Sequence, residues 1–234
     1  MNYTKEKIIE LLATDIAEYG NWIDESEPKD FMGADTFWNS ESAKRIGKTT
    51  DTKEYFSEVV SEFLIENGFI EKNNFTGVHQ IPKKGLYSPD KDFSFIALGL
   101  EGLYSDFSLE SKYGIIIESI IPLGNYVKDR AGVVDLITYK KDTNELFIIK
   151  VKPVCSSETL LSAVLEIQTY YQTMDKEKLV EQLYSEGKIN SNKVKIKKAL
   201  ILLSESNPYN EYKKNYPNVT KIINDLCVEI TLAQ

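Results

Sequence analysis

Two β-branched runs in the middle of the chain, joined by a short polar turn, constrain its fold more than any other feature. They are Gly132-Val133-Val134-Asp135-Leu136-Ile137-Thr138-Tyr139 and Glu145-Leu146-Phe147-Ile148-Ile149-Lys150-Val151-Lys152-Pro153. Val, Ile, Phe and Tyr suit the pleated surface of a sheet, and Lys141-Asp142-Thr143-Asn144 has turn chemistry, so the stretch reads as a β-hairpin. With the turn centred on Asp142-Thr143, Asp135 faces Lys150 across the ladder. Side chains alternate along a strand, which puts Lys152 on that same face, diagonal to Asp135. Charged groups on otherwise apolar strands are costly to bury without partners. That cost marks Asp135, Lys150 and Lys152 as candidates for chemistry.

Around the hairpin the periodicities predict further elements. Residues 4–18 read as a helix with Thr4 as N-cap and Ile8, Leu11, Leu12 and Ile16 on one side. Residues 20–50 are polar, with Phe31, Phe37 and Trp38 as anchors onto the body. Residues 52–67 read as a second amphipathic helix stopped by Gly68. Residues 69–103 are expected to hold one or more strands with long connections. Strands are predicted at 113–122, 133–139, 146–151, 194–203 and 228–232, and helices at 159–172, 176–186 and 216–225. This order alone says a mixed α/β protein. The organisation expected is an acidic, partly helical N-terminal extension over 1–50 and a core over 51–234.

A net charge of −8 argues against a broadly basic coat, yet residues 1–35 hold nine acidic side chains against three lysines and so carry −6 of it. The nearly balanced remainder leaves nucleic acid open as a partner, because binding depends on local patches. Lys188, Lys193, Lys195, Lys197 and Lys198 form one such patch, unless they are only the solvated edge of a strand. No apolar run approaches the ~18 residues needed to cross a bilayer, and the first residues lack the apolar stretch of a signal peptide. Cys155 and Cys227 have no metal-ligand spacing. Reduced thiols in a cytoplasmic protein, away from membranes, are the expectation.

The hairpin resembles the core of the PD-(D/E)XK, or restriction-endonuclease-like, nuclease superfamily. There an Asp opens the motif, and an acidic residue, any residue and Lys follow on the next strand. Asp135 matches the first position and Lys152 the last, while position 150, acidic in the family, is lysine. The likeness extends to Thr159-Leu160-Leu161-Ser162-Ala163-Val164-Leu165-Glu166-Ile167-Gln168-Thr169-Tyr170-Tyr171-Gln172, similar to the Gln-and-Tyr helix of many members. It also takes in Ile115-Ile116-Ile117-Glu118-Ser119-Ile120-Ile121, and covers roughly residues 51–203. It implies an α/β restriction-endonuclease-like core, a central mixed β-sheet flanked by helices. It further implies a metal-dependent nuclease acting on nucleic acid, DNA ahead of RNA, in the setting of bacterial or phage restriction, defence or repair.

Phosphodiester cleavage of this kind uses Mg²⁺ or Mn²⁺ to ligate a phosphate oxygen and lower the pKa of an attacking water. The resemblance makes Asp135 the main metal ligand, with the Val151 carbonyl completing the set and Lys152 as catalytic cation. Gln168 would position a phosphate or water, and Tyr171 would contact the nucleic-acid backbone. Gln168 and Tyr171 share a helical face with Leu161 and Val164, which on residues alone reads as a packed amphipathic helix with a polar fringe. Lys150 breaks the arrangement. At an effective dielectric near 20, unit charges ~4 Å apart interact by about 4 kcal/mol, so an ammonium in place of a carboxylate should leave metal held poorly and Lys150 paired with Asp135 instead.

Lys150 then reads in three ways. It silences a site whose parent carries Glu; or the missing carboxylate comes from elsewhere, Glu118 ahead of Glu166; or the fold is kept as a non-catalytic module for nucleic acid or a protein partner, a second copy included. Glu118 interrupts a run of five isoleucines, which favours a site role over an edge-strand residue facing water. An enzyme using Glu118 and Lys152 in acid–base roles without metal is a further alternative. Arg45-Ile46-Gly47-Lys48-Thr49-Thr50 ends like a P-loop, but Ser42 stands where that motif needs glycine and no apolar strand precedes it. His79 is the single histidine, which argues against histidine triads and multi-histidine metal sites. Tyr170-Tyr171 reads as core and rim.

Overall fold

The hairpin adopts the expected register. In the computed structural model, which describes residues 3–19, 37–70, 91–122 and 132–234, β2 (Val133–Lys140) and β3 (Glu145–Lys152) pair antiparallel with Leu136 opposite Ile149 and Thr138 opposite Phe147. β1 (Ile115–Pro122) adds antiparallel to β2, and β4 (Lys195–Leu203) and β5 (Val228–Ala233) continue the sheet parallel to β3. The spatial order is β1-β2-β3-β4-β5. Parallel neighbours need long crossovers. β3 returns through α6 (Leu160–Thr173) and α7 (Lys176–Ser185), β4 through α8 (Asn207–Lys214) and α9 (Pro217–Asp225).

Alternation along the strands sorts the apolar residues into two cores, so the fold is a mixed sheet with helices on both faces. Ile137, Leu146, Ile148, Leu200 and Leu202 pack toward α6, with Val60 and Leu64 of α3 (Phe56–Glu66) and Ile8 and Leu12 of α1 (Lys5–Tyr19) in the same cluster. Leu136, Phe147, Ile149, Ala199 and Ile201 face the other way, with Tyr104 of α4 (Lys91–Asp106) and Tyr113 of α5 (Glu110–Tyr113). Outside α6 lie a 3₁₀ turn, Phe37–Asn39, and α2 (Glu41–Lys44). Ser162 Oγ donates to the Trp38 carbonyl at 2.7 Å and Thr159 Oγ1 to the Ala43 carbonyl. Thr159 also caps α6, accepting from the Ser162 amide. Helix α6 is therefore enclosed, and every residue from Leu160 to Gln168 is buried. Phe37 and Ala43 join Ile8 and Leu12 in the core, so the described parts of residues 1–50 are built into the body.

Two elements differ from expectation. Of residues 69–103, expected to hold one or more strands, 71–90 lie outside the described residues and 91–103 are helical. Leu100, Leu103, Tyr104 and Phe107 fall at helical spacing against the second core, a pattern blurred in the sequence by Gly99 and Gly102. Helix α8 was not expected. Its start is signalled by Ser206, which accepts from the Tyr209 amide, and by Pro208 in the first turn. Phe31 and His79 lie outside the described residues. Among the described residues no helix is long and apolar enough to cross a membrane.

Candidate active site

Strands β2 and β3 aim Asp135, Lys150 and Lys152 at α6, and α6 answers with Glu166 and, one turn on, Tyr170. Lys150 Nζ lies 3.1 Å from Asp135 Oδ1, 2.9 Å from the Val133 carbonyl oxygen and 3.7 Å from Glu166 Oε1. Lys152 Nζ pairs with Glu166 Oε2 and, at 2.7 Å, with Glu158 Oε1. The second Asp135 oxygen accepts the Val151 N–H at 2.7 Å, and Glu166 Oε1 accepts the Tyr170 hydroxyl at 2.7 Å. Asp135, Lys150, Glu166, Lys152 and Glu158 thus form one continuous chain of alternating charge. Its centre is dry: the side chains of Lys152 and Glu166 are 4% and 5% exposed.

Burial opposes every charge here, and the partners decide which survive. Burial pushes the Asp135 carboxyl above the usual aspartate range, against the pull of Lys150 and the Val151 N–H. Burial alone would raise Glu166 too, but Lys152 and Lys150 outweigh it and hold that carboxyl low. Burial alone would lower Lys150, yet Asp135 and Glu166 together hold it above an ordinary lysine. Tyr170 is raised by burial and by Glu166, so it serves as a neutral hydroxyl donor. Its position needs Gly132: at φ 89° a Cβ there would fall 2.2 Å from the Tyr170 hydroxyl. Gly132→Ala is expected to cost about 2–3 kcal/mol, from left-handed strain plus overpacking. Chemical denaturation measures it, and a change under about 0.5 kcal/mol, the level of a neutral surface substitution, would mean Tyr170 steps aside freely.

The sequence-predicted residues divide. Asp135, Lys150 and Lys152 come together. Val151 joins them through its N–H, not through the carbonyl expected as a ligand; the carbonyl in the cluster is that of Val133. Glu118 stands apart: a bulge between Ile116 and Glu118 sets it beside Ile137, and its carboxylate is taken by Lys188. Gln168 and Tyr171 turn away from Glu166 toward β4. There Gln168 Oε1 accepts from Lys198, and the Lys198 and Lys176 ammonium groups each lie 4.7 Å from the Tyr171 ring. Glu166, ranked behind Glu118 in the sequence, occupies the centre, and Glu158 and Tyr170 were missed. The signal was there: Glu166 interrupts the apolar run Ala163-Val164-Leu165 and Ile167, and a carboxylate buried in such a run must meet a cation.

The residues as they stand do not fit a divalent ion. Asp135, Glu166 and the Val133 carbonyl converge on one point, and the Lys150 ammonium fills it. Among the described residues no group of three or more His, Cys, Asp and Glu side chains is placed to hold a metal. Of the expected lysine patch only Lys193 and Lys195 stay exposed. Lys188 pairs with Glu118 and Glu186, Lys197 with Glu145 and Glu229, and Lys198 is buried.

Burial lowers Lys198 to about 8 from the ordinary 10.5. Between those values the unfolded chain holds a proton that the folded chain has released, so stability rises with pH across that window. Lys198→Met is expected to abolish this rise and to be more stable at pH 7 by up to about 3 kcal/mol, at 1.36 kcal/mol per pKa unit. Urea denaturation of both proteins at pH 7 and pH 10 checks it. Equal pH slopes would contradict it. Comparisons of the chain with protein-family models, curated proteins and solved structures found no match.

Proposed function

We propose that this chain has a restriction-endonuclease-like core built for phosphodiester hydrolysis of nucleic acid, DNA ahead of RNA, and that Lys150 keeps its site silent. The observation that carries the reading is the seat of the Lys150 ammonium among Asp135, Glu166 and the Val133 carbonyl. These are the hard oxygen donors that Mg²⁺ or Mn²⁺ prefers, and a lysine holds them in the position of such an ion. Glu166 takes the part of the second carboxylate that the sequence lacks at position 150. Lys152, fixed by Glu158 and Glu166, is the cation available to a phosphate. The order of strands, hairpin, α6 and β4 supports the same reading, and the free thiols of Cys155 and Cys227 suit a cytoplasmic setting.

The test is Lys150→Glu incubated with DNA and RNA in Mg²⁺ or Mn²⁺. The expected result is cleavage by the variant, absent in the unsubstituted protein and abolished when Asp135→Ala is added. A second reading, a nuclease-fold module that binds nucleic acid or a protein partner without catalysis, is favoured by one observation: each charge of the cluster already has an internal partner. A folded Lys150→Glu protein that neither cleaves nor binds metal would establish that second reading over the first.

A further inference from the structure

Lys152 and Lys198 are the lysines buried among the described residues, and they are held in opposite ways. Lys152 is paired with Glu158 and Glu166. Lys198, 7% exposed on β4, meets only neutral groups: its ammonium donates to Gln168 Oε1 and lies 4.7 Å from the Tyr171 ring. Three elements face it, α6 with Gln168 and Tyr171, α7 with Lys176, and the turn before β5 with Cys227. Lys176 stands 4.7 Å from the same ring and donates to the Tyr171 carbonyl at 2.8 Å. Its neighbour Asp175 is taken by Lys178. Two basic side chains thus share one aromatic ring, and among the described residues no carboxylate pairs with either.

A desolvated lysine beside a second cation gives up its proton readily and becomes a nucleophile. Burial, with Lys176 adding to it, has that effect on Lys198. Since Lys198→Met is expected to gain stability, the lysine stands against the interest of the fold, as residues at functional sites do. We propose that Lys198 is a carbamate-forming site that takes carbon dioxide, with Lys176 as the counter-ion of the product. The lone pair of the neutral amine attacks the carbon of CO2, a C–N bond forms, and one C=O bonding pair moves onto oxygen. One amine proton leaves to solvent, and no oxidant or co-reactant is required. The N–H that remains keeps its bond to Gln168 Oε1. The new carboxylate meets Lys176, whose bonds to the Tyr171 and Met174 carbonyls leave one of its three N–H groups free. A small uncharged ligand suits an amine this little exposed, and the product replaces an amine without an acid by one half of an ion pair. Asp135, Lys150 and Glu166 take no part, so the inference stands apart from the hydrolysis reading.

The experiment is carbon-13 NMR of the full chain in ¹³C-bicarbonate, in equilibrium with dissolved CO2, at about pH 8.5, where exposed lysines are roughly 99% protonated. The α-amino group, ordinarily about 7.7–8.0, is the competing amine and gives a carbamate signal common to every variant. The expected result is a further carbamate signal that is lost in Lys198→Met and falls at least fivefold in Lys176→Gln. The melting temperature of the unsubstituted protein should rise in bicarbonate relative to chloride at equal pH and ionic strength, and that of Lys198→Met should not. Carbamate spectra identical for the unsubstituted protein and Lys198→Met would overturn the inference. So would a Lys198 signal undiminished in Lys176→Gln of unchanged circular dichroism, or a bicarbonate effect on melting shared by Lys198→Met.

Discussion

Glu166→Ala is expected to destabilise the fold by about 3–5 kcal/mol, the loss typical when one partner is removed from a buried ion pair. The carboxylate stands between Lys150 and Lys152 at the dry centre of the cluster. Without it Lys152 keeps Glu158, and Lys150 keeps Asp135 and the Val133 carbonyl. Tyr170 loses the acceptor of its hydroxyl. For a chain of this size such a loss lowers the melting temperature by on the order of 10 °C. The contrasting control is Lys5, whose pair with Glu62 is 30% and 37% exposed; Lys5→Ala should cost no more than about 1 kcal/mol. Denaturant titration of both variants separates the cases. A loss below about 1 kcal/mol for Glu166→Ala would mean the cluster is not the single dry network described.

Lys150→Glu is expected to have the largest effect of either sign, depending on the solution. Without metal it replaces the neutralising ammonium by a carboxylate against Asp135 and Glu166, and several kcal/mol of stability should be lost to like-charge repulsion in a desolvated site. With Mn²⁺ the same three carboxylates acquire a counter-ion. A ligand bound only by the folded state stabilises it by about 2.7 kcal/mol at one hundred times its dissociation constant. Thermal melts should therefore show a destabilised variant that recovers with added Mn²⁺, beside an unsubstituted protein whose melting point does not move. Failure to recover, in a variant whose circular dichroism spectrum matches the parent, would mean that Asp135 and Glu166 are not positioned to share a cation.

The parts of this site legible in the sequence are those governed by local periodicity. A two-residue repeat and a four-residue turn set the hairpin register, and from it came the shared face of Asp135, Lys150 and Lys152 and their meeting with one another. Glu158 and Glu166 reach the same place through the docking of α6 on β3, which no local pattern encodes. Glu118 drew attention because it interrupts a run of isoleucines, but the bulge in β1 sets it beside Ile137 and Lys188 takes its carboxylate. Gln168 and Tyr171 were assigned to the site by the resemblance, but the azimuth of α6 over the sheet decides which face meets β3, and it presents Glu166 and Tyr170. Helix α4 was obscured because Gly99 and Gly102 interrupt its apolar stripe.

The claim that an ammonium stands in the place of a metal ion is tested most directly by Mn²⁺ binding measured by titration calorimetry. No saturable binding to the unsubstituted protein is expected, and one ion per chain for Lys150→Glu, lost again when Glu166→Gln is added. Saturable binding of equal affinity with Lys150 in place, or none after its replacement in a folded protein, would contradict it.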